Sequence, residues 1–331
     1  MGSPAGGGPA GAPAASRSGL RILFCGTPEF ASTVLDALLR TRHQVVGVLA
    51  QPSRPRGRGL KVDDPPAVRR ACEAGLPVFQ PARPHATEAL ASLRALEPDL
   101  TVTAAFGRIL RPSLLQLAPR GAWNVHASLL PRHRGASPVS AAIQAGDAWT
   151  GVTIFQLDEG LDTGDLLSQE MIPIFPGETC GELTSKLATL GGDLLVRTLN
   201  AEAGAPIPRR PQPVWGVTHA PILTKDAGRI EWARPAEHVE RHVRAVDPWP
   251  GAFTWIQGQR LRVHRVGCVH RLPGDDEPGV LRVVDGIPQV TCLPGAVALL
   301  EVQAEGRKRQ EAREWLRGSR QADGARLGDG P

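Results

Sequence analysis

The chain is poor in several things that mark common protein classes. Its five cysteines, at 25, 72, 180, 268 and 292, stand far apart with no Cys-x-x-Cys pair. That pattern argues against a disulfide framework and a zinc site, and fits a reducing compartment. No apolar run approaches the roughly 18 residues that a membrane span needs. Residues 1–19 offer no apolar core for a signal peptide, and Pro4, Pro9 and Pro13 oppose the amphipathic helix of a transit peptide. Position 6 is Gly, where an N-myristoylation signal has Ser or Thr. A disordered N-terminal tail and a cytoplasmic address are expected. The first strand-to-helix turn reads Gly26-Thr27-Pro28-Glu29-Phe30 and lacks the further glycines of a dinucleotide fingerprint. No phosphate-binding lysine loop replaces it, so a dehydrogenase or a P-loop enzyme is excluded.

What is present points to two soluble domains. A length of 331 residues exceeds one typical core, and an apolar fraction of 41% is ordinary for a globular chain. The net charge of +5 is carried almost wholly by arginine, because Lys61, Lys186, Lys225 and Lys308 are the only lysines. From residue 206 onward there are 19 basic against 15 acidic side chains, and a second basic island holds Arg54, Arg56, Arg58 and Lys61. Two separate basic patches suit a polyanionic partner, although solvated charge explains each one alone.

The apolar runs 21–25 and 45–49 flank a helical period at Phe30, Val34, Leu35, Leu38 and Leu39. Strand, helix, strand with apolar strands predicts a parallel sheet in an open, Rossmann-like α/β domain over 20–202. Proline then crowds 203–221, which reads as a linker. Beyond it, short alternating strands such as 260–266, 280–284 and 297–302 predict an OB-like β-barrel over 222–318, with 319–331 as a tail.

Within Ala122–Pro131, Asn124 and His126 stand two residues apart between apolar neighbours, a spacing that puts both on one face of a strand. An amide and an imidazole at a strand end fit transfer of an acyl group between amines, one donating to the developing oxyanion and the other moving a proton. Asp162, in the run Asp158–Asp165, is a candidate to orient or charge that imidazole. On spacing alone, an Asn-x-His pair is more often structural. Ser128 lacks the Gly-x-Ser-x-Gly elbow of an acyl-enzyme nucleophile. The 158–165 run lacks the ligand spacing of an EF-hand, so a tight loop with one working carboxylate is the better account. Arg260, Arg262 and His264 share one face of a strand, fit either to track a nucleic-acid backbone or to form a plain outer face. Trp249 is expected to pack in a core, and scattered histidines such as His43, His85, His133 and His219 to be structural.

The runs AWNVHASLLPRHRGASP (122–138) and GVTIFQLDEGLDTGDLL (151–167) resemble those of the formyl-tetrahydrofolate-dependent formyltransferases. The Gly26-Thr27-Pro28 turn, QPSRPRGRGLK (51–61), GLPVFQP (75–81), AAFGRILRP (104–112), RIEW (229–232) and RAVDPWP (244–250) are similar to the branch that formylates methionyl initiator tRNA. The likeness runs from about residue 20 to 318. It implies an enzyme with Asn124, His126 and Asp162 as its catalytic set, formyl-tetrahydrofolate as the donor, no metal and a monomeric state. It implies a donor site along Phe106, Gly107 and Ile109, the turn Ser128, Leu129, Leu130 and Pro131, and the loop residues Asp158, Gly160, Leu161 and Gly164. It places initiator methionyl-tRNA on the basic insert, Arg58 above all with Arg54, Arg56 and Lys61, and on Arg260, Arg262, Arg307 and Lys308. Phe106 departs from the pattern, where Tyr is frequent. A donor hydrolase or a sugar-nucleotide formyltransferase would use the same trio, the former without need of the insert or barrel.

Overall fold

The computed structural model describes residues 19–56, 61–269, 277–318 and 323–328. Arg58 and the tail before residue 19 lie outside them. In chain order the first part runs β1 (Arg21–Gly26), α1 (Glu29–Leu39), β2 (Gln44–Leu49), β3 (Arg54–Arg56), β4 (Lys61–Asp63), α2 (Pro66–Glu73), β5 (Val78–Phe79), α3 (Thr87–Arg94), β6 (Leu100–Ala104), α4 (Pro112–Leu115), β7 (Ala122–His126), β8 (Arg134–Gly135), α5 (Pro138–Ala145), β9 (Trp149–Gln156), β10 (Leu166–Pro173) and α6 (Cys180–Gly204). The second runs β11 (His219–Ala220), α7 (Ala236–Ala245), β12 (Phe253–Ile256), β13 (Gln259–Val269), β14 (Leu281–Val284), β15 (Ile287–Thr291), β16 (Ala296–Ala304), β17 (Gln310–Glu311) and α8 (Ala312–Gly318).

Seven strands form the first sheet, in the order β10-β9-β7-β6-β1-β2-β5. From β5 to β7 the pairs are parallel, and their apolar side chains are buried on both faces, as with Ile22, Leu23 and Phe24. This is the expected parallel sheet, and two antiparallel strands extend it. β9 runs antiparallel to β7 although α5 lies between them, and β10 runs antiparallel to β9, since a direct return through the 157–165 loop needs no crossover helix. That hairpin loop brings the acidic run beside the end of β7.

Helix α6 begins at a capping box between Thr179 and Glu182 and lies across the sheet. Its Gly191 is a close-approach position: a Cβ there would sit 2.7 Å from Val125 Cγ1 on β7. The strand carrying Asn124 and His126 is thus fixed from behind by α6, while Trp123, Val125 and Ile154 fill the core beneath.

The second part is an antiparallel curled sheet, β12-β13-β16-β15-β14 with β17 on β16. Leu261, Val263, Val290, Val297, Leu299 and Val302 line its interior. The C-terminal stretch expected as a tail is partly structural. Leu327 is buried in this core, its amide donates to Gly279 O at 2.8 Å, and Arg326 bridges to Val280. A single leucine among Gly, Asp and Arg carries no periodicity, so the pattern hid it. Trp249 is also corrected: it is 55% exposed, held outward between Pro248 and Pro250, and takes no place in either core.

The two parts meet along α7. Val239 and Val243 enter the barrel core while Ala245 enters the core of the first domain. Across the same boundary Arg244 Nη1 donates to Glu178 O at 2.9 Å and Gly181 N to Asp247 O at 3.0 Å. Among the described residues no helix is long and apolar enough to cross a membrane.

Candidate active site

β7 ends at the C-terminal edge of the parallel strands, where open α/β sheets form their ligand crevice. Asn124 and His126 leave it on the same side. Asn124 Oδ1 accepts a 2.6 Å hydrogen bond from Thr103 Oγ1 on the neighbouring strand β6. With its oxygen so occupied, the amide nitrogen is left as the donor the side chain can offer to a substrate oxygen.

His126 is buried, edge-on to Phe155 at 6.2 Å between centroids. Its Nε2 lies 3.0 Å from the carbonyl of His133, which can only accept, so Nε2 carries the proton. Nδ1 is then the free position, and it faces Asp162 Oδ2 at 3.7 Å. Burial holds the imidazole pKa below its usual value, and the Asp162 carboxylate partly offsets that. The result is a neutral imidazole with a basic Nδ1, ready to gain a proton beside a negative charge.

Asp162 is held in place by two other segments. Its backbone is left-handed, φ 54°, as is that of His133, φ 56°, and of Ala105, φ 44°, at the end of β6. Gly135 N donates to Asp162 Oδ2 at 2.8 Å. Gln212 Nε2 donates to the carbonyls of Asp162 and Gly164, each at 2.8 Å, while its Oε1 accepts from Arg134 Nη2 at 2.7 Å. Gln212 belongs to the proline-rich segment, which therefore does more than connect. It pairs Leu166 with Arg210 and forms β11 parallel to β8, with Gly135 lying so close that a Cβ would meet Ala220 O at 2.4 Å.

The residues expected around a donor fall on both sides of this crevice. Ile109 and Leu161 are 74% and 55% exposed, an unusual display of apolar surface flanking a polar centre. Gly107 takes φ 74°, and Phe106 is buried with its carbonyl accepting from Thr27 Oγ1 at 3.2 Å and Gln51 Nε2 at 2.9 Å. Leu129 and Pro131 are half-buried, and Leu130 is buried with its amide donated to Thr153 Oγ1. Ser128 is fully buried and donates to Arg132 O at 2.7 Å, so its hydroxyl shapes the turn. Asp158 is likewise occupied, accepting from Gly160 N at 3.1 Å and Thr163 Oγ1 at 2.8 Å in an Asx turn. Gly164 is buried against Gln156 O. A cavity of about 490 Å³ adjoins this loop, lined by Leu115, Gly121, Leu157 and Glu159 among others.

The described basic residues fall on separate elements. Arg54, Arg56 and Lys61 lie on the β3–β4 hairpin, with Arg56 paired to Lys61 in register. Arg262 is exposed on β13, and Arg307 and Lys308 are exposed after β16. Glu305 N donates to Arg260 O at 3.2 Å, which brings these two groups together. The Arg260 guanidinium is turned onto the Phe253 ring, 3.8 Å from its centroid, and is only partly exposed.

Spacing within the sequence singled out neither Thr103 nor Gly135 nor Gln212. Only the hydroxyls at 101 and 103 in a buried strand, and the lone glutamine among prolines at 212, offered any hint.

An amide donor, a neutral imidazole and a carboxylate at the mouth of an open α/β sheet have the chemistry for group transfer at a carbonyl centre. Residues 20–199 match the formyl transferase family, and residues 222–320 match the formyl transferase C-terminal domain. The chain belongs to the formyl transferase family. A Magnetococcus marinus protein named methionyl-tRNA formyltransferase is 44% identical over 312 residues, covering 94% of this chain and 99% of that protein. One of the same name from Anaeromyxobacter dehalogenans is 47% identical, covering 91% and 97%. An N-formyltransferase from Helicobacter canadensis, solved with folinic acid and dTDP-3-aminofucose, superposes with a TM-score of 0.65 at 15% identity, covering 86% of this chain and 99% of that one, and shares the fold.

Proposed function

We propose that this protein transfers the formyl group of formyl-tetrahydrofolate to the amino group of methionyl initiator tRNA, giving formyl-methionyl-tRNA for translation initiation. The observation that carries this reading is the convergence of Asn124, His126 and Asp162 in a chain whose similarity to its curated relatives runs through both domains. A donor hydrolase would need the first domain alone. A sugar-nucleotide formyltransferase shares the trio, but the relatives of high identity over nearly the whole chain do not carry that name.

The acceptor nitrogen attacks the formyl carbon, and its proton passes to His126 Nδ1, the free nitrogen of the ring. The carbonyl oxygen gains charge as the bond forms. The Asn124 amide N–H aimed at that oxygen lowers the barrier by about 3 kcal/mol. Asp162 stabilises the imidazolium, which returns its proton to the donor nitrogen as the old carbon–nitrogen bond breaks. The exposed faces of Ile109 and Leu161, with backbone groups of 106–110 and 156–165, receive the folate ring. Arg54, Arg56, Arg58 and Lys61 of the basic insert, with Arg260, Arg262, Arg307 and Lys308, meet tRNA phosphates. The protein acts as a cytoplasmic monomer, without a metal.

Purified protein supplied with formyl donor and charged initiator tRNA is expected to yield formyl-methionine, measured after hydrolysis of the ester. His126→Ala and Asp162→Asn are expected to abolish transfer while tRNA still binds. Near-normal transfer by either variant overturns the assigned roles. Arg58→Ala is expected to flatten the salt dependence of kcat/KM for tRNA.

A further inference from the structure

The five residues Pro213–Val217 form a short loop pinned at both ends to the catalytic centre. At one end Gln212 grips the Asp162 and Gly164 carbonyls, both at 2.8 Å. At the other, Thr218 O accepts from Arg134 N at 2.9 Å and Thr218 Oγ1 from His133 N at 2.8 Å. His133 in turn supplies the carbonyl that fixes the His126 ring. The loop thus joins the two walls that set the carboxylate and the imidazole. At its tip Val214 and Trp215 are 94% and 77% exposed, the two most exposed large apolar side chains of the described surface. Trp215 is three residues from either anchor, so its Cα lies within roughly 11 Å of the Cα of both. Neither side chain belongs to a hydrophobic core cluster.

We infer that Trp215 is the stacking platform for the terminal nucleobase of the aminoacyl acceptor. The inference rests on the reaction proposed above and adds a contact to it. In an aminoacyl ester the attacking amine is joined through one amino acid to the terminal ribose. When that amine reaches His126 Nδ1, the base on the same ribose must rest at the mouth of the crevice. An indole anchored there, free of packing duties, presents a flat π-face to any base. Arg210 and His219, both exposed on the flanks of the loop, suit the phosphates that precede the base.

The test compares full-length wild type, Trp215→Ala and Trp215→Phe at saturating formyl donor. Each is given methionylated acceptor-stem RNA ending in either an ordinary nucleoside or a ribose without its base. The expected result is a KM about tenfold higher in Trp215→Ala on the ordinary acceptor, with recovery in Trp215→Phe. Wild type should lose a similar factor on the baseless acceptor, and Trp215→Ala should lose little more. An unchanged KM in Trp215→Ala overturns the stacking role while leaving formyl transfer in place. Equal losses in wild type and variant on removing the base also overturn it, because the indole would then serve another contact, such as a protein partner. Wild type that transfers formyl to neither acceptor overturns the reaction itself.

Discussion

The amide of Asn124 can be placed in two orientations that differ by half a turn, and only one aims a donor at a substrate oxygen. Thr103 selects that one through its 2.6 Å bond to Oδ1. Thr103→Val keeps the shape of the side chain and removes the hydroxyl. Its kcat is expected to fall about tenfold, the order of one lost hydrogen bond, with both KM values little changed. Thr103→Ser should restore most of the rate, which steady-state kinetics will show. His126 makes a second residue-scale prediction. Burial lowers its pKa and Asp162 raises it, so its NMR titration midpoint should fall below about 6.5 and drop further in Asp162→Asn. The unfolded chain binds that proton more readily than the folded one. Stability from the neutral ring is therefore present above about 6.5 and is lost as pH falls from there toward the lowered folded value. Asn124 and His126 were legible in the sequence because strand alternation is a local rule. Asp162 stood out as a candidate partner within the acidic run 158–165, and the family likeness then singled it out among the carboxylates there. Thr103, Gly135 and Gln212 were not, since their partners lie 21, 27 and 50 residues away and no periodicity reports such distances.

At the scale of elements, the proline-rich segment shows how composition can mislead. Five prolines between 206 and 221 remove helical and strand periodicity, so the pattern reads as a connector. Yet proline leaves carbonyls and side chains free, and this segment uses them against the first domain. Gly135 is the position where the two backbones come closest, at φ 122° and with no room for a Cβ beside Ala220 O. Gly135→Ala should part β8 from β11 and cost about 2–3 kcal/mol in stability, read by chemical denaturation. Gln212→Ala removes the donor to two carbonyls of a loop already holding Asp162 in a left-handed conformation. Its kcat is expected to fall at least tenfold, and its KM for tRNA to rise as the Trp215 loop loses that anchor, by paired kinetic and binding measurements. The mixed sheet has a comparable origin. The apolar runs specify strands but not their direction: β9 is antiparallel to β7 although α5 lies between them, and the 157–165 loop returns β10 directly along β9.

At the scale of the whole molecule, the proposed reaction has a donor held by one domain and a long acceptor that spans both. The boundary must therefore keep its geometry while carrying load. Helix α7 meets that need by giving Val239 and Val243 to the barrel core and Ala245 to the other core. The small side chain at 245 lets the helix sit close, and Arg244 binds the Glu178 carbonyl alongside. A charge at 245 would be buried among the apolar residues of the first core. Burying an unpaired charge in this way costs about 3–5 kcal/mol, enough to open the boundary without unfolding either core. Ala245→Glu is accordingly expected to split one cooperative calorimetric transition into two. Its transfer to full-length tRNA should fall far more than its transfer to a short acceptor-stem RNA, because only the long acceptor needs both domains in register. A single transition at the wild-type temperature, with equal rates on both acceptors, would show that α7 does not couple the two cores.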